Sequence, residues 1–153
     1  MKLKSLNPYP LINHNRKYHF ITANGTEYTA QFERVPIESC IVYHFVFAKS
    51  KNGVKGKDLR IRDTIANIIY DFWGDYDDVI LFVCDSSDGR AQHRMRLFDN
   101  WYRTLNIDEN VVKIDFSVND INAAILAKKD NCLLPLAEKE IRELFDLMSG
   151  EQS

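Results

Sequence analysis

Cysteine is scarce in this 153-residue chain: Cys40, Cys84 and Cys132 form neither a metal-ligand spacing nor an even set for a disulfide framework. At least two of them stand in apolar runs, so buried, reduced thiols in a reducing compartment are expected. No run approaches the roughly 18 consecutive apolar residues of a membrane-spanning helix. The N-terminus, MKLKSLNPYPLINHNRK, is basic, but its apolar stretches are broken by two prolines, so it lacks the apolar core of a signal peptide. The cytoplasm is the expected compartment. Excess charge of one sign is missing too: 20 Lys and Arg stand against 22 Asp and Glu, for a net charge of -2, which removes the electrostatic footprint of a general nucleic-acid binder. There is no P-loop, no G-x-G-x-x-G and no G-x-S-x-G. His14, His19, His44 and His93 show no pairwise metal spacing, so neither metal nor cofactor is expected.

What remains is an ordinary globular composition, 45% hydrophobic, 12% aromatic and 27% charged, which argues for an aromatic-rich core. A chain of this length fits one domain and buries roughly two thirds of the surface that its unfolded form exposes. Residues 1–15 read as an irregular arm, because Asn7-Pro8-Tyr9-Pro10 blocks helix and favours extended or turn geometry. From Arg16 to Val35 the pattern alternates around Asn24-Gly25. A two-residue turn would pair Phe20 with Thr29 and split the apolar residues between faces. A three-residue loop, Ala23-Asn24-Gly25 with Gly25 at positive φ, instead puts Tyr18 and Phe20 on the face of Tyr28, Ala30 and Phe32, and is the predicted register.

Pro36 ends the second strand, and Ile41 to Ala48 (IVYHFVFA) is apolar on both faces, as an interior strand is. Lys49 to Lys57 (KSKNGVKGK) reads as a mobile basic loop. Asp58 can cap a helix in which Ile61, Ile65, Ile68, Ile69 and Phe72 recur at helical spacing, with Gly74 ending the run. Val79 to Cys84 (VILFVC) is expected to be a central strand. A helix from about Arg90 to Leu105 follows, then a half-buried strand in which Val112, Ile114, Phe116 and Val118 alternate with Lys113, Asp115 and Ser117. That order implies a right-handed parallel crossover. Ile121 to Lys129 reads either as a strand pairing with its predecessor or as a short helix, with strand preferred. Pro135 and the stripe Ala137, Ile141, Leu144 and Met148 define a last helix, with Gly150 after it.

The fold class is therefore α+β: residues 16–150 form a single domain, with a mixed sheet of about five or six strands and about three helices packed on it. Antiparallel strands come first in the sheet, then a β-α-β crossover.

Chemistry concentrates between Cys84 and Tyr102. In the helix from Arg90, Ala91, Met95, Leu97, Phe98, Trp101, Tyr102 and Leu105 share a broad apolar stripe, with Arg94 near its middle and Arg90 at its edge, while Arg96 and Arg103 point to solvent. A guanidinium aimed into an apolar stripe needs an acceptor, and Asp85 and Asp88 are the nearest in sequence. The bland reading is that these carboxylates cap the helix and pair with Arg90 or Arg94 as a structural clasp. The functional reading is that Ser86, Ser87, His93, Arg90 and Arg94 line a site for an anion or a carboxylate, beyond a strand end and beside a helix N-terminus; alternatively the carboxylates could hold a metal ion. Cys84 and Arg90 also match C-x5-R, the signature of cysteine-dependent phosphatases. Asp85 and Asp88 would repel a phosphate there and raise the cysteine pKa, so a buried structural Cys84 is preferred. Trp73, Trp101 and Tyr102 read as core.

Through CDSSDGRAQHRMRLFDNWY, the hairpin YHFITANGTEYTAQF and the helix RIRDTIANIIYDF, the chain resembles a family of short uncharacterised proteins of Bacteroidetes-type bacteria over about residues 16–148. The resemblance implies no activity. The expectation is thus a non-enzymatic cytosolic binding or regulatory module of bacterial origin, with a protein partner or a homodimer as its partner. The alternative is a small hydrolase or phosphoryl-handling enzyme with Asp85, Asp88, His93 and Arg94 as its catalytic candidates. Nucleic-acid binding through Lys49 to Lys57 with Arg60 and Arg62 is the weakest reading.

Overall fold

The computed structural model describes residues 6–50, 58–75, 78–84, 91–105, 110–118 and 121–150. Strands β1 (Ile12–His14), β2 (Lys17–Ile21), β3 (Glu27–Arg34) and β4 (Val42–Lys49) precede helix α1 (Leu59–Asp75). Strand β5 (Val79–Cys84), helix α2 (Ala91–Leu105), strands β6 (Val111–Val118) and β7 (Ile121–Lys128) and helix α3 (Leu134–Gly150) follow. Among the described residues the fold is α+β with a single mixed sheet and three helices, but the sheet has seven strands rather than five or six, in the order β1-β2-β3-β4-β5-β7-β6. The additional strand is β1, inside the stretch expected to be an irregular arm. Asn15 and Arg16 take positive φ, 50° and 66°, and this two-residue turn folds Ile12–His14 back on β2. An arginine is an uncommon occupant of such a turn, so its composition does not announce it.

The next hairpin adopts the three-residue loop. Tyr18 pairs with Ala30 and Phe20 with Tyr28, Gly25 has φ 85°, and the Thr22 amide donates to the Thr26 carbonyl at 2.9 Å. The register gathers Tyr18, Phe20, Tyr28, Ala30 and Phe32 on one face, where they pack beneath α1. Asp58 caps α1: its carboxylate accepts the Arg60 amide at 2.9 Å and its carbonyl the Ile61 amide at 3.1 Å. Ile65, Ile68, Ile69 and Phe72 are buried as their spacing predicts. The helix ends at Asp75, one residue beyond Gly74, where the run was expected to stop.

Strands β4 and β5, joined through α1, are parallel neighbours. Strands β5 and β6, joined through α2, also run the same way, but β7 lies between them and is antiparallel to both. The expected crossover thus leads to a strand that is not its neighbour. Polarity explains the insertion. Ala123, Ala124, Ile125, Leu126 and Ala127 are buried and suit an interior strand, whereas β6 carries Lys113, Asp115 and Ser117 and suits an edge. The ambiguous residues 121–129 therefore supply a strand, as preferred.

Alternation along the strands divides the core. Helices α1 and α2 cover the face bearing Phe32, Phe45, Ile80, Phe82 and Leu126, and α3 covers the face bearing Val42, Val79, Leu81, Ile125 and Ala127. Trp101 is buried, with Phe98 and Tyr102 packed beside it, but Leu97 lies at the margin of its stripe and is 37% exposed. On α3, Phe145 is buried in place of Met148, which is 49% exposed. The segment before β1 docks on α1: Tyr9 is buried, its amide donates to Thr64 Oγ1 at 2.8 Å, and Arg60 lies over its ring at 3.9 Å.

Candidate functional site

The residues singled out from the sequence are reached only in part by the described structure. Cys84 is buried and ends β5, and α2 begins at Ala91. Asp85, Ser86, Ser87, Asp88 and Arg90 lie outside the described residues, as does the side chain of Arg94, whose backbone belongs to α2. His93 is exposed near the start of the same helix. Arg96 and Arg103 are exposed, as expected. Helices α1 and α2 lie on the same face of the sheet, and the strand order continues past β5 without reversing. The strand-order switch point at which parallel sheets open a crevice is therefore not formed at β5.

A cleft of roughly 720 Å3 opens at the opposite end of that strand. Its lining comes from the last turns of α1 (Tyr70, Trp73, Gly74), the start of β6 (Asn110, Val111) and the end of β7 (Lys128, Lys129, Asp130). The register Val111 to Lys128 closes the β6–β7 corner, and the Lys129 amide continues the ladder by donating to the Asn110 carbonyl at 2.8 Å. Tyr102 of α2 donates to the Val111 carbonyl at 3.1 Å and holds the corner from above.

Tyr70, Trp73 and Gly74 share one side of α1 because their spacings of three and four residues match its turn. Trp73, 3% exposed, forms the floor: its indole N–H donates to the Asp78 carbonyl at 3.0 Å, and Tyr70 meets its ring edge-on at 6.0 Å between centroids. Lys128 reaches the Trp73 carbonyl at 3.4 Å, so a cation faces the carbonyl end of α1. Lys129 and Asp130 are exposed at the rim. The lining contains no Cys, His or Ser, and no group of three metal-ligating side chains occurs among the described residues. An apolar floor with a few convergent polar groups suits binding and orientation of a ligand. Sequence reasoning took Trp73 as core, which it is, and missed the cleft beside it.

Titratable groups elsewhere are perturbed, His44 and Lys113 among them. Burial pushes the His44 imidazole below its ordinary value, against the pull of Glu33, its cross-strand partner. Burial acts the same way on Lys113, but hydrogen bonds and charge from Asp115 and Asp99 outweigh it and hold that ammonium above its ordinary value. Lys113 is nearly covered by α2 while both carboxylates reach solvent, which is a structural arrangement.

A small α+β protein with a cleft between α1 and the β6–β7 corner is the class that this geometry defines. The chain belongs to the family of unknown function DUF6169, whose match covers residues 57–145, from just before α1 into α3. No curated protein and no solved structure matches it.

Proposed function

We propose that the protein is a non-enzymatic binding module that takes a small organic ligand in the cleft between α1 and the β6–β7 corner. One observation carries this reading: the cleft, at roughly 720 Å3, falls in the range of about 300–1,000 Å3 of small-molecule sites and pairs an aromatic floor with polar groups at its rim. Its location in a bacterial cytosol is part of the proposal. Cys40, Cys84 and Cys132 are not joined in disulfides, which suits a reducing compartment, and the bacterial origin follows the resemblance seen in the sequence. The test is titration with neutral, anionic, cationic and zwitterionic benzene derivatives, followed through the backbone amide resonances of Gly74, Val111 and Lys129. Shifts confined to these amides and their neighbours are expected. If no compound moves them at millimolar concentration, the cleft is not a binding site and the reading is lost.

A second reading is a small hydrolase or phosphoryl-handling enzyme at Asp85, Asp88, His93 and Arg94. The observation in its favour is that β5 ends at Cys84 and α2 starts at Ala91, so the residues between them leave a strand's carboxyl end and lead to a helix N-terminus. Hydrolysis of para-nitrophenyl phosphate that is lost in Arg94→Ala, with the fold retained, is expected on this reading. Rates equal to buffer alone would remove it for phosphate esters.

A further inference from the structure

Resting on the reading of the cleft as a binding site, we infer that its ligand is a small zwitterion with a planar apolar body, of the chemical class of a free aromatic amino acid, and that Gly74 makes room for that body. Gly74 stands where neither backbone conformation nor packing asks for glycine. It is helical, in the last turn of α1, and a Cβ placed there would meet nothing within 4 Å. Another residue could take this helical conformation with less loss of backbone freedom on folding. What the missing side chain leaves is open space on the side of α1 that lines the cleft with Tyr70. A planar group lying against the half-buried Tyr70 ring would fill it.

The charges at the rim define the other half of the ligand. Lys129 and Asp130 are consecutive and exposed, and neither side chain has an ion-pair or hydrogen-bond partner among the described residues. A ligand bearing only negative charge would meet Asp130 and the carbonyl end of α1, and one bearing only positive charge would meet Lys128 and Lys129. A ligand with an ammonium and a carboxylate on one carbon matches the adjacent pair.

The experiment compares L-phenylalanine with phenylpropionate and phenethylamine, each lacking one of its charges, in titrations of the full chain followed by amide resonances. Phenylalanine is expected to bind at least about tenfold more tightly than either analogue, a difference of about 1.4 kcal/mol. Lys129→Gln should remove its advantage over phenethylamine, and Asp130→Asn its advantage over phenylpropionate. Gly74→Leu should abolish binding while leaving the amide spectrum outside the cleft unchanged. An analogue of single charge that binds as tightly as phenylalanine, or undiminished binding to Gly74→Leu, overturns the inference but leaves the cleft a binding site. Failure of all three compounds, and of a neutral benzene derivative, removes the cleft reading together with the inference.

Discussion

At the scale of single residues, one phenol oxygen ties together three distant parts of the chain. Tyr9 donates its hydroxyl proton to Asp58, the cap of α1, and the same oxygen accepts the Ala23 amide at 3.1 Å from the β2–β3 turn. Tyr9→Phe keeps the ring under Arg60 but leaves the Ala23 N–H without that acceptor. A loss of about 1–3 kcal/mol is expected, read as a lower urea midpoint with an unchanged slope. His44 is the second such residue. Because burial holds its folded pKa below the unfolded value, the unfolded chain binds more protons near neutral pH. Its contribution is therefore harmless above about pH 6.5 and destabilising as the pH falls through that unfolded value. The thermal midpoint of His44→Gln should accordingly fall less between pH 7.5 and 5.5 than that of the parent chain. An equal fall in both would show that the imidazole is not shielded.

At the scale of elements, two glycines make the same substitution act with opposite sign. Gly25 closes the β2–β3 loop at φ 85°, a left-handed conformation that costs an L-residue about 1–2 kcal/mol even though nothing stands within 4 Å. Gly74 has equally open surroundings but helical geometry, so Gly74→Ala should raise stability by about 0.4–1 kcal/mol through the lower entropy of the unfolded chain. Denaturant unfolding of the two alanine variants checks the pair: Gly25→Ala below the parent, Gly74→Ala above it. The loop was legible because Asn24-Gly25 and the facing aromatics agree on one register. Strand β1 was not, because a positive-φ turn at Asn15-Arg16 is set by pairing to β2 and by the hold of Tyr43, whose hydroxyl lies 2.7 Å from the Arg16 guanidinium.

At the scale of the whole molecule, a single open sheet has two edges to protect. One is β1, three residues long, and the other is β6, eight residues long with a face of Val112, Ile114, Phe116 and Val118. A long edge strand of this kind invites pairing with another chain, and an inward-pointing charge on it opposes that pairing. Lys113 is such a charge, held between Asp99 and Asp115 beneath α2. Lys113→Val should therefore increase self-association, seen as a rise in mass by light scattering at high protein concentration. An unchanged mass would show that the edge is protected by something other than Lys113.

The sequence by itself determined the α+β class, the order of the helices, the aromatic face of the first large hairpin and the burial of Cys84, because each follows from local periodicity and turn chemistry within one segment. It also brought Asp85 to Arg94 forward as candidates, and those remain a proposal. The tertiary structure decided the rest. The placing of β7 between β5 and β6 depends on which strand can bear burial on both faces, a comparison between segments. The cleft exists only where α1, β6 and β7 meet, so Tyr70, Gly74, Asn110 and Lys129 carry no common signal along the chain. Pairwise proximity of residues some sixty positions apart is a property of packing, and no window of sequence contains it.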